Sequence, residues 1–242
     1  MPFTGAIPSS SWGKERVYLS TRETSFFSKG KERRPRLAAD RSRLLLVLAL
    51  SAVSVVAFQG SRGLYDHTEG RYAEIAREMI ASGDYLEPTL DHVPHWAKPP
   101  LTYWAIAAGV RVLGRNAWGA RFYDVFAFVI TVLAVTVCAR ALWDGTTGFV
   151  AGLVYLSSFL PAAGANLATT DTLLAMWEAL GVLFYVLAYR SPDRGRSRTW
   201  VRLMWLAFGL GFFTKGPPAL LPLLALVAFH LHARRPFALG DI

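Results

Sequence analysis

Apolar positions in this chain gather into long runs. They occupy 44–60, 122–143, 149–168, 172–189, 200–213 and 217–232, separated by charged or Gly/Pro-rich segments, the pattern of helices that cross a bilayer. Six spans is the expected count. A further run at 101–113 is shorter and holds Arg111. At ~1.5 Å per residue it reaches about 20 Å, less than the ~30 Å hydrocarbon core, so it is expected to dip in and return. Between the first span and this run the period changes. Tyr72, Ile75, Ala76, Met79 and Ile80 recur at helical spacing, with Glu74, Arg77 and Glu78 opposite; this predicts a helix lying in the membrane interface. Gly83 ends it, and an irregular stretch with Pro88 and Pro94 leads to Lys98-Pro99-Pro100. The fold class expected is an all-α polytopic membrane protein with interfacial helices in its first outer loop.

Composition agrees and narrows the classes. Of 242 residues, 53% are hydrophobic and only 18% are charged, against a typical quarter, which excludes a soluble enzyme. Cys138, the one cysteine, sits inside an apolar run and excludes a disulfide framework or a multi-cysteine metal site. The net charge of +9 would suit nucleic acid, but its distribution points elsewhere. Residues 1–43 hold ten Lys/Arg against four Asp/Glu, 190–202 hold five Arg against Asp193, and 61–117 hold six against seven. Basic charge beside the spans is the positive-inside pattern. No Gly-rich phosphate loop or zinc-finger spacing is present, so no nucleic-acid partner is expected. The run at 44–60 lies too far from Met1 for a conventional signal peptide. Residues 1–43 read as a disordered cytosolic tail and 44–242 as the transmembrane domain. The expected site is the plasma (inner) membrane, with both ends cytosolic and 61–120 forming one outer loop.

That topology brings Asp66, Glu69, Arg71, Lys98, Asp171 and Lys215 to the outer face. Any one of them is readily an ordinary interfacial charge; the collection points to a site. Glu69 or Asp66 is suited to take a proton from an attacking hydroxyl. Lys98, Lys215 and Arg71 are suited to neutralise a departing phosphate without a covalent intermediate. Thr214-Lys215-Gly216-Pro217-Pro218 breaks one apolar stretch and would aim its lysine into a cavity. The same chemistry allows a transporter for an anionic substrate, which would use Asp124 and Glu178 within the spans. His67, His92 and His95 share the outer loop with carboxylates, but solvated loop histidines are the commoner outcome. No metal or other cofactor is assigned.

The string from Glu69-Gly70-Arg71-Tyr72 to Met79, then Ser82-Gly83-Asp84-Tyr85, then Lys98-Pro99-Pro100-Leu101, resembles the first outer loop of bacterial GT-C glycosyltransferases. These are the protein mannosyltransferase relatives that include the lipid A aminoarabinose transferase. The likeness continues through Leu113-Gly114, Ala120-Arg121, Asp171 and Thr214-Lys215-Gly216, covering roughly 44–235. It implies a GT-C transmembrane helix bundle. It also implies transfer of a sugar from a polyprenyl-phosphate carrier to a lipid, glycan or protein acceptor on the outer face. On that resemblance Glu69, Asp66 and Asp171 are the catalytic candidates, and Lys98, Lys215, Arg71 and Arg121 the phosphate-binding ones. Thr68 stands where the family often has Asp, and Ala97 where it often has an acidic residue; the identity of the base stays open. Relatives of this kind carry further spans, so the 242 residues are expected to be a front half. The rival classes are a non-catalytic transporter or carrier-lipid binder, and an inactive fragment. Transporter sites usually lie at the bilayer midplane, which favours the transferase.

Overall fold

A computed structural model of the chain describes residues 37–57, 59–64 and 67–232. Helix α1 (Leu37–Val56) is followed by α2 (His67–Ser82) and a short hairpin of β1 (Thr89–Leu90) and β2 (Val93–Pro94). Then come α3 (Leu101–Leu113), α4 (Ala117–Leu142), α5 (Gly145–Ser157), α6 (Phe159–Gly164), α7 (Thr170–Arg190) and α8 (Arg194–Lys215). A 3-10 turn (Pro217–Leu220) and α9 (Leu221–His232) complete the order. The expected basic tail falls outside the described residues except for 37–43, which open α1.

Polar caps explain why several helices begin upstream of their apolar runs. Asn116 accepts a hydrogen bond from the Gly119 amide at 2.9 Å, so α4 starts five residues before its expected start at 122. Asp193 accepts from the Gly195 and Arg196 amides, so α8 takes in the arginine-rich segment ahead of 200. Both follow the preference of Asn and Asp for the position just outside a helix. The single span expected at 149–168 is instead α5 and α6, separated at Ser158, whose backbone is extended. Pro161 has no amide hydrogen with which to continue the α5 ladder.

By length and composition, α4 and α7 are long and apolar enough to cross a membrane. Exposed Leu45 and Val53 of α1, Phe126 of α4, Val154 of α5 and Leu224 of α9 give the bundle an apolar outer surface, as a bilayer requires. The stripe read from the sequence is the buried side of α2. Tyr72, Ile75, Ala76 and Met79 pack with Tyr103, Ile106 and Ala107 of α3, and this core continues to Ala120, Tyr123, Leu173 and Met176. The interfacial helix is thereby docked on the bundle. A turn at Gly114 folds α3 back along the start of α4, where a Cβ on Gly109 would lie 2.3 Å from the Gly119 carbonyl oxygen.

Part of the polar face of α2 is also used. Asp91 and His92 adopt positive φ of 53° and 63° in the two-residue hairpin turn, the geometry of a type I′ connection. Glu78 holds that hairpin: the Thr89 hydroxyl donates to it at 2.5 Å and the His92 amide at 3.3 Å. The Thr89 hydrogen bond, stronger than the opposing effect of burial, pulls the Glu78 carboxyl below its ordinary range.

Candidate active site at one end of the bundle

Glu69 stands in the first turn of α2, and its carboxylate is fully buried. It accepts from Arg121 Nε at 2.8 Å and Nη2 at 3.0 Å, from Arg62 Nη1 at 2.9 Å, and from the Ala168 amide at 2.8 Å. Burial pushes this carboxyl up, but those donors, Arg121 foremost, bring it below its usual range. Arg121 also donates from Nη1 to the Gln59 and Arg62 carbonyls and from Nη2 to the Gly63 carbonyl. A guanidinium has five N–H donors, and all five are engaged. The phosphate-binding role expected of Arg121 is therefore set aside, since no donor remains for a ligand. The expected proton-accepting role of Glu69 meets the same obstacle, because its carboxylate has no exposed surface.

This network fastens the segment before α7. Gln59 Nε2 donates to the Ala165 carbonyl at 2.6 Å, and Arg62 Nη2 to the Asn166 carbonyl at 2.5 Å. Tyr123 Oη donates to the Thr169 carbonyl at 2.6 Å. With the Glu69–Ala168 bond, four carbonyl or amide groups over 165–169 are held before the chain turns into α7. Sequence reasoning did not single out Gln59, Arg62 or Tyr123. Arg62 and Tyr123 lie close to motif residues, but nothing in a linear pattern marks the carbonyls that Gln59, Arg62 and Tyr123 hold, 106, 104 and 46 residues further on.

Asp171 emerges from that fastened turn, capped by Thr169, whose hydroxyl accepts from the Asp171 amide at 3.3 Å. Its side chain is 62% exposed and forms an ion pair with Lys215, the last residue of α8. Gly216, at φ +79°, closes α8, a conformation that L side chains rarely adopt. Pro217 then opens the 3-10 turn. The cation at the helix C-terminus is favoured by the helix dipole. The break that the sequence places after Lys215 is real, and it presents the lysine to Asp171.

Lys98 precedes the N-terminus of α3 and is half-buried; Arg71 is exposed on α2. Neither forms an ion pair with a described residue. Trp104 of α3 meets Phe213 of α8 with ring centroids 6.0 Å apart, which brings the start of α3 beside the end of α8. Lys98 and Lys215 thus enter from the same end of the bundle. Burial raises the Tyr72 phenol, Arg71 lowers it and Asp171 raises it. Asp66 lies outside the described residues. Asp124 is fully buried one turn past Arg121, and Glu178 is two turns past Asp171, deeper in the bundle than the Asp171–Lys215 pair. Among the described residues no group of three or more His, Cys, Asp or Glu is placed to hold a metal.

Comparison with known proteins gives this geometry a context. The chain is 34% identical over 197 residues to undecaprenyl phosphate-alpha-4-amino-4-deoxy-L-arabinose arabinosyl transferase 2 of Pseudomonas fluorescens (strain Pf0-1), a match covering 81% of this chain and 36% of that protein. It is 36% identical over 195 residues to the corresponding transferase of Pseudomonas aeruginosa (strain UCBPP-PA14), covering 79% of this chain and 35% of the relative. The chain thus spans about a third of the length of these relatives. The crystal structure of ArnT from Cupriavidus metallidurans in the apo state superposes with a TM-score of 0.75 at 28% identity, covering 84% of this chain and 38% of that one. The same protein bound to undecaprenyl phosphate gives 0.73 at 30% identity, covering 81% and 36%. The fold is accordingly that of a GT-C polytopic membrane protein. The family model described as dolichyl-phosphate-mannose-protein mannosyltransferase matches residues 97–239, more than half of the sequence, and the chain belongs to that family.

Proposed function

We propose that this chain carries the donor end of a membrane glycosyltransferase that moves a sugar from a polyprenyl-phosphate carrier to an acceptor on lipid, glycan or protein. The observation that carries the reading is the exposed Asp171–Lys215 pair, mounted on a fastened turn at the end of the bundle where Lys98 and Arg71 also lie. An incoming phosphate competes for Lys215, and Lys98 and Arg71 add positive charge. Drawing Lys215 away frees the Asp171 carboxylate. The acceptor oxygen then bonds to the anomeric carbon as the carbon–oxygen bond to phosphate breaks. Asp171 takes the acceptor proton, and polyprenyl phosphate leaves with the bonding electron pair. Glu69 serves this scheme by holding the turn that carries Asp171. Arg43 and Arg140 and the arginines of 190–202 stand at the other end of their helices. The positive-inside rule then favours a cytosolic face there and puts Asp171 on the outer face.

The names of the relatives make an undecaprenyl carrier and an aminoarabinose donor the first substrates to try. The test is binding of undecaprenyl phosphate to the purified chain in detergent, with undecaprenol as the uncharged control, alongside sugar transfer in membranes holding the whole protein. The phosphate should bind and the alcohol should not. Asp171→Asn should keep binding and remove transfer. Equal binding of both lipids would overturn the phosphate site, and full transfer by Asp171→Asn would remove its role as base.

A further inference from the structure

The end of the bundle away from Asp171 carries a charge pattern of its own. Arg190 closes α7, Asp193 caps α8, and Arg194, Arg196, Arg198 and Arg202 follow in the first turns of α8; all five arginines are exposed. Arg194 and Arg196 run against helix electrostatics. The first turn of a helix is its positive end, where carboxylates stabilise and cations do not. The single carboxylate in the stretch, Asp193, accepts hydrogen bonds from backbone amides at 3.3 and 3.1 Å.

Two other arginines near this end are treated differently. Arg140 lies 3.1 Å from Asp40 Oδ2, and Arg43 donates to the Thr146 hydroxyl at 3.0 Å beside the same buried Asp40. Their charge is largely answered within the protein. No ion pair joins Arg190, Arg194, Arg196 or Arg202 to a described carboxylate. The 22 residues of α8 extend ~33 Å at ~1.5 Å per residue, which places Arg194 and Arg196 about one hydrocarbon thickness from Lys215; Arg202 lies two turns nearer and reaches the headgroups along its own stem. Trp200, stacked on Phe184 at 5.7 Å, and Tyr189 stand beside it, as aromatic residues do at a membrane interface.

We propose that the α7–α8 turn binds anionic phospholipid: the arginines of 190–202 grip headgroup phosphates of the adjoining leaflet and prefer lipids of net negative charge. Guanidinium forks suit phosphate oxygens, and clusters of this size draw anionic lipid to a membrane protein. The site is independent of the reading given to Asp171 and Lys215.

The test is native mass spectrometry of the full chain released from bilayers of equal parts phosphatidylglycerol and phosphatidylcholine, counting each lipid retained. The wild type should hold phosphatidylglycerol at least fivefold over phosphatidylcholine, and 0.5 M NaCl present before release should reduce that preference. Arg194→Gln/Arg196→Gln/Arg202→Gln should bring the ratio near one, Arg194→Lys/Arg196→Lys/Arg202→Lys should keep most of it, and Arg115→Gln at the far end should leave it unchanged. Added inorganic phosphate at 10 mM should not displace the lipid. A wild-type ratio near one would overturn the proposal without any variant. So would an unaltered ratio in the triple glutamine protein. Displacement by phosphate would make this a site for free anions instead.

Discussion

Two carboxylate–cation pairs stand at the same end of this bundle and are built in opposite ways. Glu69 and Arg121 are both fully covered; the carboxylate accepts four hydrogen bonds and the guanidinium donates five. Asp171 and Lys215 meet through one ion pair, with the carboxylate mostly in the open. The first pair has no capacity left for a ligand, whereas Asp171 takes only Lys215 and, at 3.4 Å, the Thr169 hydroxyl, and stays open to more. A saturated pair can fasten a turn but cannot exchange partners during a reaction. A sparse pair contributes little to stability and is free to exchange.

The largest effect is expected from breaking the saturated pair. Arg121→Met leaves a buried carboxylate short of its main partner and should cost about 3–5 kcal/mol in thermal or denaturant unfolding. The double variant Glu69→Gln/Arg121→Met should cost less than the two single changes added together. Acid sharpens the same point. The folded Glu69 carboxyl lies below its usual range, so its stabilisation is fully present above the unfolded value of ~4.3 and is lost as pH falls through the folded value. Wild-type protein should lose stability on acidification below about pH 4, and Glu69→Gln should lack that step in a pH series of melting curves.

Much of the fold was legible in the sequence, because its signals are local. The stripe from Tyr72 to Met79 needs only helical spacing, and it is the buried side of α2. The thirteen-residue reach of 101–113 is the length of α3. Boundaries were less legible where a cap lies outside the apolar run, as at Asn116 and Asp193, or where one proline divides a run, as Pro161 does. The site was half legible. Gly216 and Pro217 mark the break that follows Lys215, and α7 begins at Thr170 beside Asp171. What separates Glu69 from Asp171 cannot be read from spacing, since both are carboxylates within motifs. Glu69 is saturated by groups 52 and 99 residues further on, Arg121 and Ala168. Only the folded chain brings them together.

Smaller effects test the edges of the comparison. Thr89→Val removes one hydrogen bond to Glu78 and should cost about 1 kcal/mol. Hydrogen exchange should show faster opening of the 89–94 hairpin with the amides of α4 unchanged. Asp171→Asn should change unfolding least, by no more than ~1 kcal/mol, as expected of an exposed ion pair. A loss of several kcal/mol there would mean that the open pair is also structural.

The most direct test of the division between fastening and working pairs is an undecaprenyl phosphate titration of the wild type and Lys215→Met, with melting temperature followed on the same samples. Methionine keeps much of the lysine stem and removes its charge. The account predicts binding weakened at least tenfold, ~1.4 kcal/mol, with the melting temperature within 2 °C of wild type. Unchanged binding, or weakened binding accompanied by a large fall in melting temperature, would contradict it.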